Sequence, residues 1–332
     1  MQDSKFIDSL SGDKKYLIDY ANLIQGLFIN QKSFLKKKDF NFFLKRPYLG
    51  IPILFPNNLK IFDYVNSRKY ILSQKNLLST IYRTNKKNYN PFLNYIKHGN
   101  SFADFVIPKK KYLKTVNKII RFNKISISRI NFLHKKFKKI CAFQTRNIPH
   151  LGHEKIIDFL LQKYNHIIIN PIIGPKKKGD VKFEYLEKIY NFLIKSKYRK
   201  KISYIPFIAN MFYAGPQEAI HHANLRYALG FKNFVIGRDH AGAENLYKAN
   251  QAFNYISKYQ SYLNINVVKI SGSYFCPKCK QIILKNMCKH NKLLINISGT
   301  DFRACIRKNI LFKYADYKLQ NFIFKIKKKI FV

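Results

Sequence analysis

The chain has 332 residues, 47% of them hydrophobic, and carries 62 Lys and Arg against 17 Asp and Glu, a formal charge of +45. It is long and apolar enough to bury a core in two or three domains, and no run approaches the roughly 20 apolar residues of a membrane span. The charge would suit nucleic acid, yet the excess lies in Lys, Ile, Asn, Phe and Tyr with no Trp, the mark of AT-rich coding, and Lys is spread along the whole chain.

Specific nucleic-acid binding is therefore not expected, although the field favours polyanionic small molecules. The start, Met1-Gln2-Asp3-Ser4-Lys5, has no apolar h-region, so no signal peptide and a cytoplasmic location are expected. Residues 1–136 are rich in Phe, Tyr, Lys and Asn, with short apolar runs such as Gly50-Ile51-Pro52-Ile53-Leu54-Phe55-Pro56. A β-rich domain of strands mixed with short helices is expected there, without a chemical constellation.

From 137 to 270 the pattern becomes strand–helix alternation. Apolar runs predict strands at 139–143, 166–170, 202–205, 234–236 and 266–270, with helices at 153–163, 182–198, 216–229 and 246–261. This predicts an α/β domain with a doubly wound parallel sheet, whose ligand site sits at the carboxyl ends of the strands.

The polar strings follow those strands. After the first come Gln144, Thr145, Arg146, Asn147, Ile148, Pro149, His150, Leu151, Gly152, His153 and Glu154. A strand that ends in polar donors and feeds a helix N-terminus is an anion site, because orphan N–H groups and the dipole both favour negative charge. After the second comes 170–180, with Gly174, Gly179, Asp180 and three lysines, which by itself reads as a solvated basic loop. Met211, Phe212, Tyr213, Ala214, Gly215, Pro216, Gln217 and Glu218 then lead into a helix with Pro near its first turn. His221 and His222 inside that helix read equally as structural or functional. Gly237, Arg238, Asp239, His240, Ala241 and Gly242 end a fourth strand in a cation and an imidazole.

The tail, 271–332, carries Cys276, Cys279, Cys288 and His290, followed by a final short helix. A Cys-x-x-Cys knuckle with a nearby Cys and His supplies four tetrahedral ligands, the stoichiometry of a structural Zn²⁺ site with no open position. Such a cluster points to metal chemistry in a reducing compartment and not to a disulfide scaffold. Ser298, Gly299, Thr300, Asp301, Phe302 and Arg303 look like a helix entry with Ser298 or Thr300 as cap.

Taken together, the strings 143–154, 170–180, 211–219, 237–242 and 297–303 resemble, in order, the ATP sulfurylases (sulfate adenylyltransferases), in the zinc-containing bacterial and archaeal branch. The resemblance implies a PUA-like barrel over 1–136, a Rossmann-like nucleotidyltransferase domain over 137–270 and a small zinc-stapled C-terminal domain over 271–332. It implies conversion of ATP and sulfate to adenosine 5′-phosphosulfate and pyrophosphate, with Mg²⁺ accompanying ATP, in a homo-oligomer. Gln144, Arg146 and the backbone of Ala241 would hold sulfate. Gln144, Thr145, Arg146, Asn147, Gly237, Arg238, Asp239, His240 and Tyr274 would contact ATP. Thr145, Arg146 and Asn147 would be the active-site residues, and His150 and His153 would stabilise the transition state. The chain departs from the family pattern at Ile148, where Pro is usual, and at Leu151, Phe212 and Gln217, where Arg is usual. Two rival readings are a nucleotidyltransferase of the same His-x-Gly-His type with another acceptor, and a non-enzymatic zinc protein binding nucleic acid through its charge.

Overall fold

The computed structural model describes residues 2–175, 179–238, 240–242, 245–326 and 330–332. A long helix α1 (Lys110–Lys136) leads into strand β1 (Ile140–Phe143), helix α2 (Leu151–Leu161), β2 (His166–Ile169), α3 (Phe183–Ser196), β3 (Ile202–Tyr204), α4 (Gly215–Ala228), β4 (Asn233–Gly237), α5 (Gln251–Tyr259) and β5 (Asn266–Ile270). Each expected strand and helix of this region forms, with ends shifted by a few residues; α5 starts latest because Asn250 before it is left-handed. All five strands are parallel, in the spatial order β5-β4-β1-β2-β3. Strands β1 and β2 are buried on both faces, which is why they read as unbroken apolar runs and not as alternation.

This order winds outward in both directions from β1. The switch point lies between β1 and β4, where the crossover helices go to opposite faces and leave a crevice at the carboxyl ends. The strings after β1 and β4 border that crevice. Helix α4 is buried on all sides from Gly215 to Arg226, because the N-terminal segment covers the face that would otherwise meet solvent. Gln217 is the clamp: its Nε2 donates to the Pro47 and Gly50 carbonyls at 2.8 Å each, and its Oε1 accepts from Arg83 Nε and the Tyr255 hydroxyl.

The β-rich expectation for residues 1–136 needs correction. Strands there are two or three residues long, such as Phe55–Pro56 and Ser101–Ala103, while helices Lys15–Ile24, Lys37–Lys45 and α1 carry much of the segment. Prolines inside or beside the apolar runs cut the strands short. Helix α1 escapes a hydrophobicity reading because its buried stripe of Val116, Ile119, Asn123, Ser126 and Ile130 is interrupted by two polar residues. Asn123 is nonetheless satisfied, donating to Asn22 Oδ1 and the Ile208 carbonyl and accepting from Ile208 N–H.

The tail forms a hairpin of β6 (Ser273–Cys276) and β7 (Gln281–Leu284), with a short β8 (Ile295–Asn296) on the other edge of β6. Two helices follow where one was expected, α6 (Gly299–Lys308) and α7 (Tyr317–Ile326), separated by left-handed Asn309. Buried apolar side chains from Ile7 to Ile330 form one continuous cluster.

Candidate active site

The turn after β1 is built by its own side chains. Thr145 Oγ1 accepts from Asn147 N–H at 3.2 Å. His150 is the N-cap of α2: its Nδ1 accepts from Gly152 N–H at 3.1 Å, while its own N–H donates to His153 Nδ1 at 3.4 Å. The two imidazoles thus satisfy orphan donors of the helix end in reciprocal fashion. With both Nδ1 atoms accepting, each ring carries its proton on Nε2. Burial, then the adjacent His153, pushes His150 down to about 2, and burial pushes His153 down to about 4, so both rings are neutral N–H donors. Gly152 is required by crowding. A Cβ there would lie 2.2 Å from Ser273 Oγ and 2.8 Å from the His150 ring.

Beyond the turn, Gln144, Thr145 and Arg146 meet Gly174, Asp180, Met211 and Tyr213 around one pocket. Three strings, from the ends of β1, β2 and β3, therefore converge. The Arg146 guanidinium lies 5.3 Å from the Tyr213 ring. Its Nη1 is buried without a hydrogen-bond partner, as is Gln144 Oε1. Orphaned buried polar atoms are rare in folded proteins and call for a ligand. Tyr213 holds a left-handed backbone, φ 58°, which is strained for a bulky residue. Glu218 keeps the loop in place by accepting from Phe212 N–H and Ala214 N–H at 2.9 and 2.8 Å.

A further arginine arrives from the tail. Ser298 caps α6 through Thr300 and Asp301 N–H, and one turn on Arg303 donates to Asn147 Oδ1 at 2.9 Å and to Thr300 Oγ1 at 3.1 Å. Partial burial lowers the Arg303 pKa, Asp180 opposes this, and Arg146 and Arg307 add to it. Arg146 and Arg303 thus share one positive field, as befits a site for an anion.

On the β4 side, Arg238 Nη1 donates to the Tyr274 hydroxyl at 2.8 Å, which in turn donates to the Ser271 carbonyl. Ala241, also left-handed, accepts from Gly215 N–H through its carbonyl. Asp239 lies outside the described residues, as do Lys176, Lys177 and Lys178 of the 170–180 loop. Gly237, Arg238, His240 and Ala241 do not line the Gln144–Tyr213 pocket.

Cys276, Cys279, Cys288 and His290 bring four ligand atoms within 4.8 Å of one another. Cys276 and Cys288 Sγ are 3.8 Å apart, and His290 Nδ1 is 3.7 Å from Cys276 Sγ and 3.4 Å from Cys279 Sγ. A tetrahedral zinc with ordinary bond lengths demands S···S and S···N edges of roughly 3.8 and 3.5 Å. The cluster fits. It also sits on the active-site strand: β6 carries Ser273 against Gly152, Tyr274 on Arg238, and Cys276 in the cluster.

Of the residues expected at the site, Gln144, Thr145 and Arg146 line the pocket; Arg303, Ser273, Asp180 and Tyr213 were not expected there. Arg303, Asp180 and Tyr213 lie in the strings 297–303, 170–180 and 211–219, whereas Ser273 gave no signal. The four departures do not line the pocket. Ile148 is core, Leu151 N–H donates to the Tyr314 carbonyl, Phe212 packs against Tyr95 and His221, and Gln217 is the clamp described above. His221 is structural, accepting from Ile51 N–H at 3.3 Å.

Fold and site together define a doubly wound α/β protein with a basic, anion-type pocket at the carboxyl ends of its sheet strands. Residues 124–312, more than half of the chain, match the family model described as ATP-sulfurylase. The chain belongs to the ATP-sulfurylase family. It is 38% identical over 183 residues to the sulfate adenylyltransferase of Pyrococcus abyssi, covering 54% of this chain and 48% of that one. The enzyme of the same name from Persephonella marina is 31% identical over 330 residues, covering 89% and 84%. The first of these alignments thus spans about half the relative's length. A hexameric APS kinase from Thiobacillus denitrificans aligns with a TM-score of 0.46 and 12% identity over 68% of this chain and 44% of that one, too slight a likeness to carry an argument.

Proposed function

We propose that the protein is a sulfate adenylyltransferase, converting ATP and sulfate reversibly to adenosine 5′-phosphosulfate and pyrophosphate. The observation that carries this reading is the pocket at the end of β1, where Arg146 presents a buried, unpartnered guanidinium nitrogen beside Gln144. A sulfate oxygen attacks the α-phosphorus, the bond to the bridging oxygen of pyrophosphate breaks, and no proton needs to move. Catalysis is then positioning and charge neutralisation.

Arg146 offers a planar fork to one oxyanion, with Gln144 beside it in the pocket; the Ala241 backbone, which the family resemblance adds to the sulfate contacts, does not line that pocket in the free protein. Arg303 holds Asn147, and Thr145 shapes the turn, so the loop is rigid before substrate arrives. His150 and His153 offer two neutral Nε2–H donors, suited to charge developing on the leaving pyrophosphate without a buried cation to desolvate. Gly237, Arg238, Asp239 and His240, with Tyr274 behind Arg238, take ATP. Mg²⁺ accompanying the nucleotide would supply charge neutralisation at its phosphates. Cys276, Cys279, Cys288 and His290 would hold a zinc ion with four protein ligands, so that it would supply folding energy and no chemistry.

Cytoplasmic operation rests on five cysteines that are all free, while homo-oligomerisation and division at 137 and 271 rest on the family; light scattering and limited proteolysis test these two. No helix among the described residues is long and apolar enough to cross a membrane. The activity is tested with purified protein by sulfate-dependent pyrophosphate release and by ATP formation from adenosine 5′-phosphosulfate and pyrophosphate. Turnover that ignores sulfate would refute the reading.

A further inference from the structure

Beneath the turn after β4 lies a chain of three ionisable side chains that touch neither the pocket nor the metal cluster. Glu218 is wholly buried on the first turn of α4; burial raises its pKa, and the two backbone N–H groups it accepts oppose this and favour the carboxylate. One helical turn later, His222 Nε2 lies 3.2 Å from Glu218 Oε1, an electrostatic contact whose angle falls short of a hydrogen bond. The opposite nitrogen, His222 Nδ1, lies 2.9 Å from His240 Nε2, the two rings meeting edge-on at 85°. Burial pushes both imidazoles well below their ordinary range, and Arg226 adds to this in each; Glu218 opposes it at His240. Both rings are therefore neutral, with one proton apiece.

One arrangement of those two protons suits every contact. A lone pair on His222 Nε2 facing the Glu218 carboxylate at 3.2 Å would be repulsive, so that nitrogen carries the proton. His222 Nδ1 is then bare and must accept, so His240 donates from Nε2. His240 Nδ1 is left bare, on a partly buried ring.

We propose that His222, oriented by Glu218, is a positioning residue that locks His240 as the Nε2–H tautomer, so that His240 meets a nucleotide only as a hydrogen-bond acceptor. Phosphate oxygens are acceptors and gain nothing from a bare imidazole nitrogen. A ribose hydroxyl or an exocyclic amine is a donor and does. Along this strand end Arg238 then takes the anionic part of the ligand, and His240 reads the nucleoside. The ligand assignment rests on the adenylyltransferase reading; the tautomer does not.

The test starts from ¹⁵N-histidine NMR of the free, full-length protein, whose nine histidines make assignment tractable. The expected result is a His240 proton on Nε2. In His222→Phe that preference should disappear, and the Kd for ATP should rise about 3- to 10-fold, the worth of one hydrogen bond. The Kd for pyrophosphate should not change. His222→Gln should restore most of the affinity, since its amide can donate to Glu218 and accept from His240. A wild-type proton on Nδ1, an unchanged tautomer in His222→Phe, or a parallel loss of pyrophosphate affinity would overturn the proposal. If His222→Phe does not fold, the wild-type tautomer and His222→Gln decide. Absence of sulfate-dependent turnover alongside the expected tautomer and ATP affinities would count against the enzymatic reading alone.

Discussion

Replacing Arg146 should separate function from stability. In the free protein its Nη1 is buried without a partner, and its guanidinium meets Tyr213 through the ring, 5.3 Å away, and through the hydroxyl. Leaving a buried donor unsatisfied costs about 1–3 kcal/mol, whereas a cation–π contact contributes about 0.5–1 kcal/mol. Arg146→Ala removes both, so the free enzyme should be as stable as the parent or more stable by about 1 kcal/mol. On the proposed function, the same guanidinium would face two anions in the reacting complex. Losing one such group costs roughly 2.7–4 kcal/mol of transition-state stabilisation, a rate loss of about 10²–10³. Arg146→Lys should recover little, because a point charge cannot hold an oxyanion bidentately. The assays are calorimetric unfolding without ligand, then sulfate-dependent pyrophosphate release. A variant that melts several degrees lower, or one that keeps near-parental turnover, would refute the reasoning.

Tyr274→Phe removes the anchor of Arg238 and should raise the ATP KM about 3- to 10-fold; because β6 also carries Cys276, Cys279→Ser should show the same KM effect together with loosened residues 271–296, followed by hydrogen exchange and by metal content. Gly152→Ala drives a methyl group into Ser273 Oγ and the His150 ring and should destabilise by about 1–3 kcal/mol, with partial recovery in the Gly152→Ala, Ser273→Gly double variant measured by denaturant unfolding. His150, His153 and His221 are held neutral with pKa values pushed to about 2, 4 and 3. The unfolded chain therefore binds more protons below pH 6.5, and stability should fall as pH drops from about 7 to 5, by about 1 kcal/mol per buried imidazole at pH 5.5. A melting temperature flat or rising over that interval would contradict these neutral assignments.

What the amino-acid order determined by itself was local. Strands buried on both faces leave unbroken apolar runs, so β1, β2 and β4 and the helices between them were legible. Polar residues released at strand ends marked the turn at 144–150 and the one at 237–242, and a short cysteine spacing marked the group of candidate metal ligands, because all four lie within fifteen residues around one hairpin. Helix α1 and the small sheets before it were not legible: Asn123 and Ser126 break the apolar stripe that a helix reading follows, and their burial is tolerable only because partners far away in the chain satisfy them.

Tertiary structure decided which of these local pieces meet. Asn147 and Arg303 are 156 positions apart and hydrogen-bonded, and Ser273 reaches Gly152 although nothing near it in sequence signals a site. His222 and His240 are joined across the β4 turn, while the adjacent His221 supports Ile51. None of this follows from periodicity. Contacts at such separations are set by strand order, which places β1 beside β4, and by the tail folding back over α2. The cost of bringing distant segments together is met by the packing of the whole core and not by any one string, so no single string could disclose it.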